Sequence, residues 1–102
     1  MLISSGADVN AARENGAIPL HIASNNGHVA VVRILVSSGA DVNAAREGDV
    51  TPLHVASTVG REDVVQVLLG AGADVDAATV DGTTSLHIAS EQGRGDIAQV
   101  LL

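Results

Sequence analysis

The stretch Thr51-Pro52-Leu53-His54-Val55-Ala56 decides how this chain folds. Copies of it stand 33 residues to either side, as Ile18-Pro19-Leu20-His21-Ile22-Ala23 and Thr84-Ser85-Leu86-His87-Ile88-Ala89. A strict period of that size belongs to solenoids assembled from near-identical supersecondary units. The chemistry of the stretch shows where each unit begins. Thr51 suits an N-cap, because its hydroxyl can accept a hydrogen bond from a free N–H of the first helical turn. Pro52 fits the first helical position, where a missing donor goes unnoticed and a fixed φ suits the helix. Each copy therefore opens a helix. Ile18 has no oxygen to cap with, so on local grounds Ile18→Thr is expected to add stability.

Working outward, Gly27 and Gly60 separate this helix from a second one in each unit. Helix one of the first complete unit is expected over Pro19 to Asn26 and helix two over Val29 to Ser37, with Val31, Val32, Ile34 and Leu35 at helical spacing. In the next unit Glu62 and Asp63 place acid at the positive end of the second helix, and Val64, Val65, Val67, Leu68 and Leu69 supply its apolar side. Gly6, Gly39 and Gly72 follow the second helices, where glycine takes the left-handed conformation cheaply. Ala-Asp-Val-Asn comes next at 7–10 and 40–43, and Ala-Asp-Val-Asp at 73–76, a turn and a short extended connection. Met1 to Ser5 matches Ile34 to Ser38 and is expected to be the last turn of a helix. The chain thus divides into a tail of a partial unit (1–13), two complete units (14–46 and 47–79) and a truncated one (80–102) within a single domain. The block Ser-Ser-Gly-Ala-Asp-Val-Asn-Ala-Ala-Arg-Glu stands identically at 4–14 and 37–47, which points to duplication, natural or engineered.

Composition narrows the function. Phe, Trp and Tyr are absent from the 102 residues although 46% are hydrophobic, so Leu, Ile, Val and Ala must fill thin layers between units. Five Arg and no Lys stand against twelve Asp plus Glu, for a net charge of −7. That balance repels phosphate, and base stacking would need aromatics, so nucleic acid is excluded as a partner. Without Cys there is no disulfide framework and no thiolate metal site. Met1-Leu2-Ile3 is too short for a signal peptide, and no apolar run approaches membrane-spanning length. A cytoplasmic protein that does not engage membranes is expected.

The order turn, Thr-Pro-Leu-His-x-Ala, Gly, Val-Val-x-x-Leu-Leu, Gly-Ala-Asp-Val-Asn resembles the ankyrin repeat across essentially the whole chain. The resemblance implies an all-α solenoid of stacked antiparallel helix pairs joined by β-turn loops, binding partner proteins without catalysis. Departures are local. Ile18 replaces the capping Thr and Ser85 the Pro, while Ser24, Ser57 and Ser90 stand where the family has a second alanine. The turn Asp81-Gly82 is inverted at Gly48-Asp49, and Arg13, Arg46 and Thr79 stand where the turn usually starts with Asp. Asn10 and Asn43 match the family position that asparaginyl hydroxylases modify in animal cells.

Several constellations carry no chemistry. Equivalent positions of stacked helices lie about 8–10 Å apart, so His21, His54 and His87 cannot converge on one metal whose ligands stand at about 2 Å. Each is expected to hydrogen-bond turn backbone instead, and His28 to be structural. Ser24, Ser57 and Ser90 follow their histidines by three residues in every unit, and no copy stands out as an activated nucleophile. Asp74, Asp76 and Asp81-Gly82 lack the spacing and the closing Glu of a calcium loop. No cofactor or metal is expected.

Positions that differ between copies are the ones a binding surface can use. They are Glu14, Asn15, Ala17, Asn25 and Asn26 in the first unit, and Glu47, Gly48, Val50, Thr58 and Val59 in the second. The third offers Val80, Asp81, Thr83, Glu91 and Gln92. The resemblance implies that they line one concave groove. With acids at Glu14, Glu47, Asp81 and Glu91, the expected partner is a protein presenting a basic segment. The rival expectation is an engineered or fragmentary scaffold without a natural ligand. The ends carry their own expectation. Equivalent triplets Met1-Leu2-Ile3 and Val100-Leu101-Leu102 lie inside second helices, so head-to-tail self-association or excision from a longer array is anticipated.

Overall fold

Periodic caps and breakers place the helices in the computed structural model, which describes residues 5–102. The helical turn expected at the very start falls on Met1 to Ser4 and so lies outside the described residues. Helices α1 (Pro19–Asn26) and α2 (Val29–Ser37) form the first pair, α3 (Pro52–Val59) and α4 (Glu62–Gly70) the second, α5 (Ser85–Glu91) and α6 (Gly95–Leu101) the third. Thr51 caps α3 as its chemistry demands: its Oγ1 accepts from the His54 N–H, and its own N–H donates to His54 Nδ1 at 3.0 Å. Thr84 and His87 repeat the arrangement at α5. At α1 only half of it survives, the Ile18 N–H donating to His21 Nδ1 at 3.1 Å.

Second helices end in a Schellman motif. The Ala40 N–H reaches the Leu35 carbonyl at 3.0 Å and the Gly39 N–H that of Val36 at 3.2 Å, with Gly39 at φ 95°. Ala73 and Gly72 do the same with Leu68 and Leu69. First helices end at Gly27 (φ 70°) and Gly60 (φ 76°), and here the next unit closes over the glycine. A Cβ on Gly27 would lie 2.5 Å from Arg61 Nε, and one on Gly60 would collide in the same way with the Arg94 guanidinium. Each arginine side chain therefore packs against the preceding unit's glycine, beside the negative end of that unit's first helix.

The pairs stack in chain order. First helices pack as α1–α3–α5 and second helices as α2–α4–α6. Between the layers lies one core, in which Leu20, Leu53, Leu68, Val32, Val64, Val65 and Ile97 are essentially inaccessible. Each such aliphatic side chain contributes about 1.5–3 kcal/mol by leaving water. Ile18 belongs to this core at 4% exposure. The result is elongated, 47 × 26 × 20 Å.

Polar staples register one unit on the next. The Asn10 amide donates to the Gly39 carbonyl at 3.3 Å while its Oδ1 accepts from the Asp41 N–H at 2.8 Å, and Asn43 repeats this toward Gly72 and Asp74. The turns form a second ladder, with the Glu47 N–H on the Asn15 carbonyl at 2.7 Å and the Val80 N–H on that of Gly48 at 3.0 Å. The inverted Gly48-Asp49 leaves a mark: Asp49 takes φ 58°, the left-handed position that Gly16 and Gly82 occupy in the other turns.

Candidate functional site

The helix pairs and the turn ladder leave a groove between the turns and the first helices, and two recesses open along it. The first is lined by Val50, Val55, Val59 and Ile88, with Asn25, Arg46, Thr58, Thr79 and His54 around them. The second is lined by Arg13, Asn15, Ala17, His21, Ile22, Asn25, Asn26, Arg46 and Val55. Arg46, Asn25 and Val55 border both, so the recesses form one channel across the three units.

The backbone explains why these side chains point there. Each turn is closed by a hydrogen bond, Arg13 N–H to Ala17 C=O, Arg46 N–H to Val50 C=O and Thr79 N–H to Thr83 C=O, all at 2.9 Å. Arg46 and Val50 are bonded in both directions, which pins Arg46 at its Cα and lets the side chain lie half-buried over the groove. Behind it, His21 accepts the Ile18 N–H at Nδ1. Its proton therefore sits on Nε2, which donates to the Val50 carbonyl of the next unit at 3.0 Å. His54 Nε2 bonds instead to the Ala77 carbonyl, at the end of its own unit, at 2.8 Å. The histidines are staples beneath the groove. Burial lowers the His21 pKa below its usual value, and the nearby positive charge of Arg46 adds to that.

Of the residues expected to form the surface, Asn15, Ala17, Asn25, Asn26, Val50, Thr58 and Val59 converge on the recesses. Glu14, Glu47, Gly48, Val80, Asp81, Thr83, Glu91 and Gln92 do not line them. Glu14, Glu47, Val80 and Asp81 are exposed at the turns, and Glu91 and Gln92 at the end of α5. Asp81 is held by the Thr79 hydroxyl, which together with Thr83 keeps its pKa below the ordinary carboxylate value. The expected acids Glu14, Glu47, Asp81 and Glu91 thus stand exposed outside the two recesses. The charges that line the channel are Arg13 and Arg46, because the first position of each turn faces the helices while the next one projects outward. These two, with Thr79, His21, His54, Ile22, Val55 and Ile88, are the groove residues that sequence reasoning passed over. A signal existed, since both arginines replace an expected Asp, but a departure from a turn pattern does not reveal which way the side chain leaves.

Within the first helices two buried hydroxyls lack a partner. Ser24 and Ser57 are fully buried, and their Oγ atoms have no hydrogen-bond partner. Ser90, at the same position of the third unit, donates to the Leu86 carbonyl at 2.7 Å. A hydroxyl with no base beside it is no nucleophile, and His54 is committed at both ring nitrogens.

Stacked helix–turn–helix units with a groove along their turns define a repeat scaffold that presents a surface. The sequence matches the description "ankyrin repeats", in three copies, over residues 1–79 and again over 51–102. The chain belongs to the ankyrin repeat family, whose members are generally non-catalytic, protein-binding modules. Comparison with curated proteins gives no match. Among the described residues no helix is long and apolar enough to cross a membrane.

Proposed function

We propose that this chain binds a partner protein through the groove between its turns and first helices. The observation that carries the reading is the continuity of the two recesses through Arg46, Asn25 and Val55 across successive units. Within the channel the side chains at positions 15, 25, 26, 50, 58 and 59 differ from unit to unit, as a recognition surface requires and a packing surface does not. The exposed Glu14, Glu47, Val80, Asp81, Glu91 and Gln92, with half-buried Thr83, extend this surface along its rim. The frame beneath is held by histidine, asparagine and turn hydrogen bonds, so a segment lying in the groove meets a surface that needs little rearrangement. A second reading, a scaffold with no ligand of its own, draws on the identical blocks at 4–14 and 37–47.

The two separate in one experiment. The full chain, an Asn25→Glu/Val59→Glu variant and an Arg33→Glu variant on the far side of the second helices are used to capture proteins from an extract of the source cells. A partner held by the full chain and by Arg33→Glu but lost by the groove variant supports the groove. Capture of no protein above a blank matrix by any of the three favours the inert scaffold, and equal retention by all three puts the partner outside the groove.

A further inference from the structure

We propose that the groove selects an acidic segment: an extended stretch of a partner protein whose carboxylate meets the Arg46 guanidinium while a neighbouring aliphatic side chain enters the recess walled by Val50, Val59 and Ile88. This deepens the groove reading above and rests on it. Among the described residues Arg46 is the one charged side chain bordering both recesses, and Arg13 gives the second recess another cation. No Asp or Glu stands among the described residues that line either recess. Its backbone is fixed by two hydrogen bonds to Val50, so the guanidinium is presented from a set point rather than from a mobile loop.

The physical argument is one of matching. The Arg46 side chain is half-buried along the recesses, and a planar carboxylate can meet its guanidinium with two parallel N–H···O bonds. A covering segment excludes further water, which strengthens the attraction. A lysine or arginine of the partner would instead stand beside a like charge. Against this stands the net charge of −7, which repels an acidic segment at a distance. The exposed carboxylates of Glu14, Glu47 and Asp49 lie outside the recesses, and salt screens them over about 8–10 Å. Long-range repulsion therefore slows the encounter, whereas contacts in the recess decide which segment stays. The apolar walls set the second half of the motif, an aliphatic residue next to the acid.

Random linear peptides displayed on phage, selected on the immobilised full chain, supply the probe. Enriched peptides are synthesised and their Kd measured by fluorescence anisotropy on the wild type, Arg46→Gln, Val59→Glu and, as outer-face control, Arg33→Gln, each first checked for unchanged melting. The expected result is enrichment of Asp or Glu beside Leu, Ile or Val, with at least tenfold weaker binding to Arg46→Gln and none lost with Arg33→Gln. Replacing the peptide's acid by its amide should weaken wild-type binding by the same factor and leave binding to Arg46→Gln unaltered. Enrichment of basic peptides, or an amide peptide that binds as well as the acid, overturns the inference. If Val59→Glu still abolishes that binding, the groove reading stands and only the acidic preference falls. Peptides indifferent to both groove substitutions, or no enriched peptide at all, overturn both.

Discussion

Ser57 carries a hydroxyl that receives and donates nothing, inside a helix where its Oγ is sealed from solvent. An unsatisfied buried polar group costs about 1–3 kcal/mol, and alanine is also the better helix former. Ser57→Ala should therefore stabilise the chain by about 1 kcal/mol, read as a rise in the urea midpoint at unchanged slope. A fall would show that the hydroxyl has a partner, such as a trapped water. Nothing in the structure explains why serine stands there. His21 makes a second prediction at this scale. Its Nδ1 faces a backbone N–H, so the protonated ring would set donor against donor, and its folded pKa is lowered chiefly by burial. The unfolded histidine titrates near about 6.5 and takes up protons first as pH falls. The neutral staple thus contributes its full stability above that value and loses it progressively as pH drops toward the folded pKa. The gap in melting temperature between wild type and His21→Gln should narrow from pH 8 to pH 5. A gap independent of pH would refute the assigned tautomer.

At the scale of the element, packing decides what capping alone suggests. Ile18→Thr would install the cap seen at Thr51, worth about 1 kcal/mol. Ile18 is, however, buried in the inter-unit core, and the exchange removes roughly two methylene-sized groups at about 0.8 kcal/mol each. The expected gain reverses, and Ile18→Thr should destabilise by about 0.5–1 kcal/mol in thermal melts. A stabilised variant would mean that Ile18 packs poorly. The turns follow the same logic with the opposite sign. Asp49 holds a left-handed conformation that its counterparts give to glycine, so Asp49→Gly should stabilise by about 0.5–1 kcal/mol, and a loss would place a contact on its carboxylate. These cases show what was legible beforehand. Helix boundaries Pro19–Asn26 and Val29–Ser37 follow from Pro, Gly and apolar spacing, which act within one unit. The burial of Ile18, the stacking of Arg61 on Gly27 and the inward course of Arg46 depend on the neighbouring unit's surface. Spacing along a single unit cannot report them.

The whole molecule is a short stack, and its energetics follow from that. Each first helix is packed by its neighbours along the chain, so α3 is the layer against which both α1 and α5 rest. Leu53 sits in α3 with 1% of its surface exposed. Leu53→Ala removes its transfer free energy and leaves a cavity, together about 2–5 kcal/mol. A domain of this size holds only about 5–15 kcal/mol in total. In a solenoid, stability is close to a sum of weak units and the interfaces that join them. Helices of seven to nine residues, as here, are marginal alone. Loosening the central layer weakens both interfaces together, so the loss cannot stay local. Leu53→Ala should unfold at markedly lower urea concentration, in one transition, with amide exchange in α1 and α5 accelerating in step with that in α3. If α1 keeps its protection while α3 loses it, the units are stable singly. The stack would then be a chain of independent modules rather than one cooperative body.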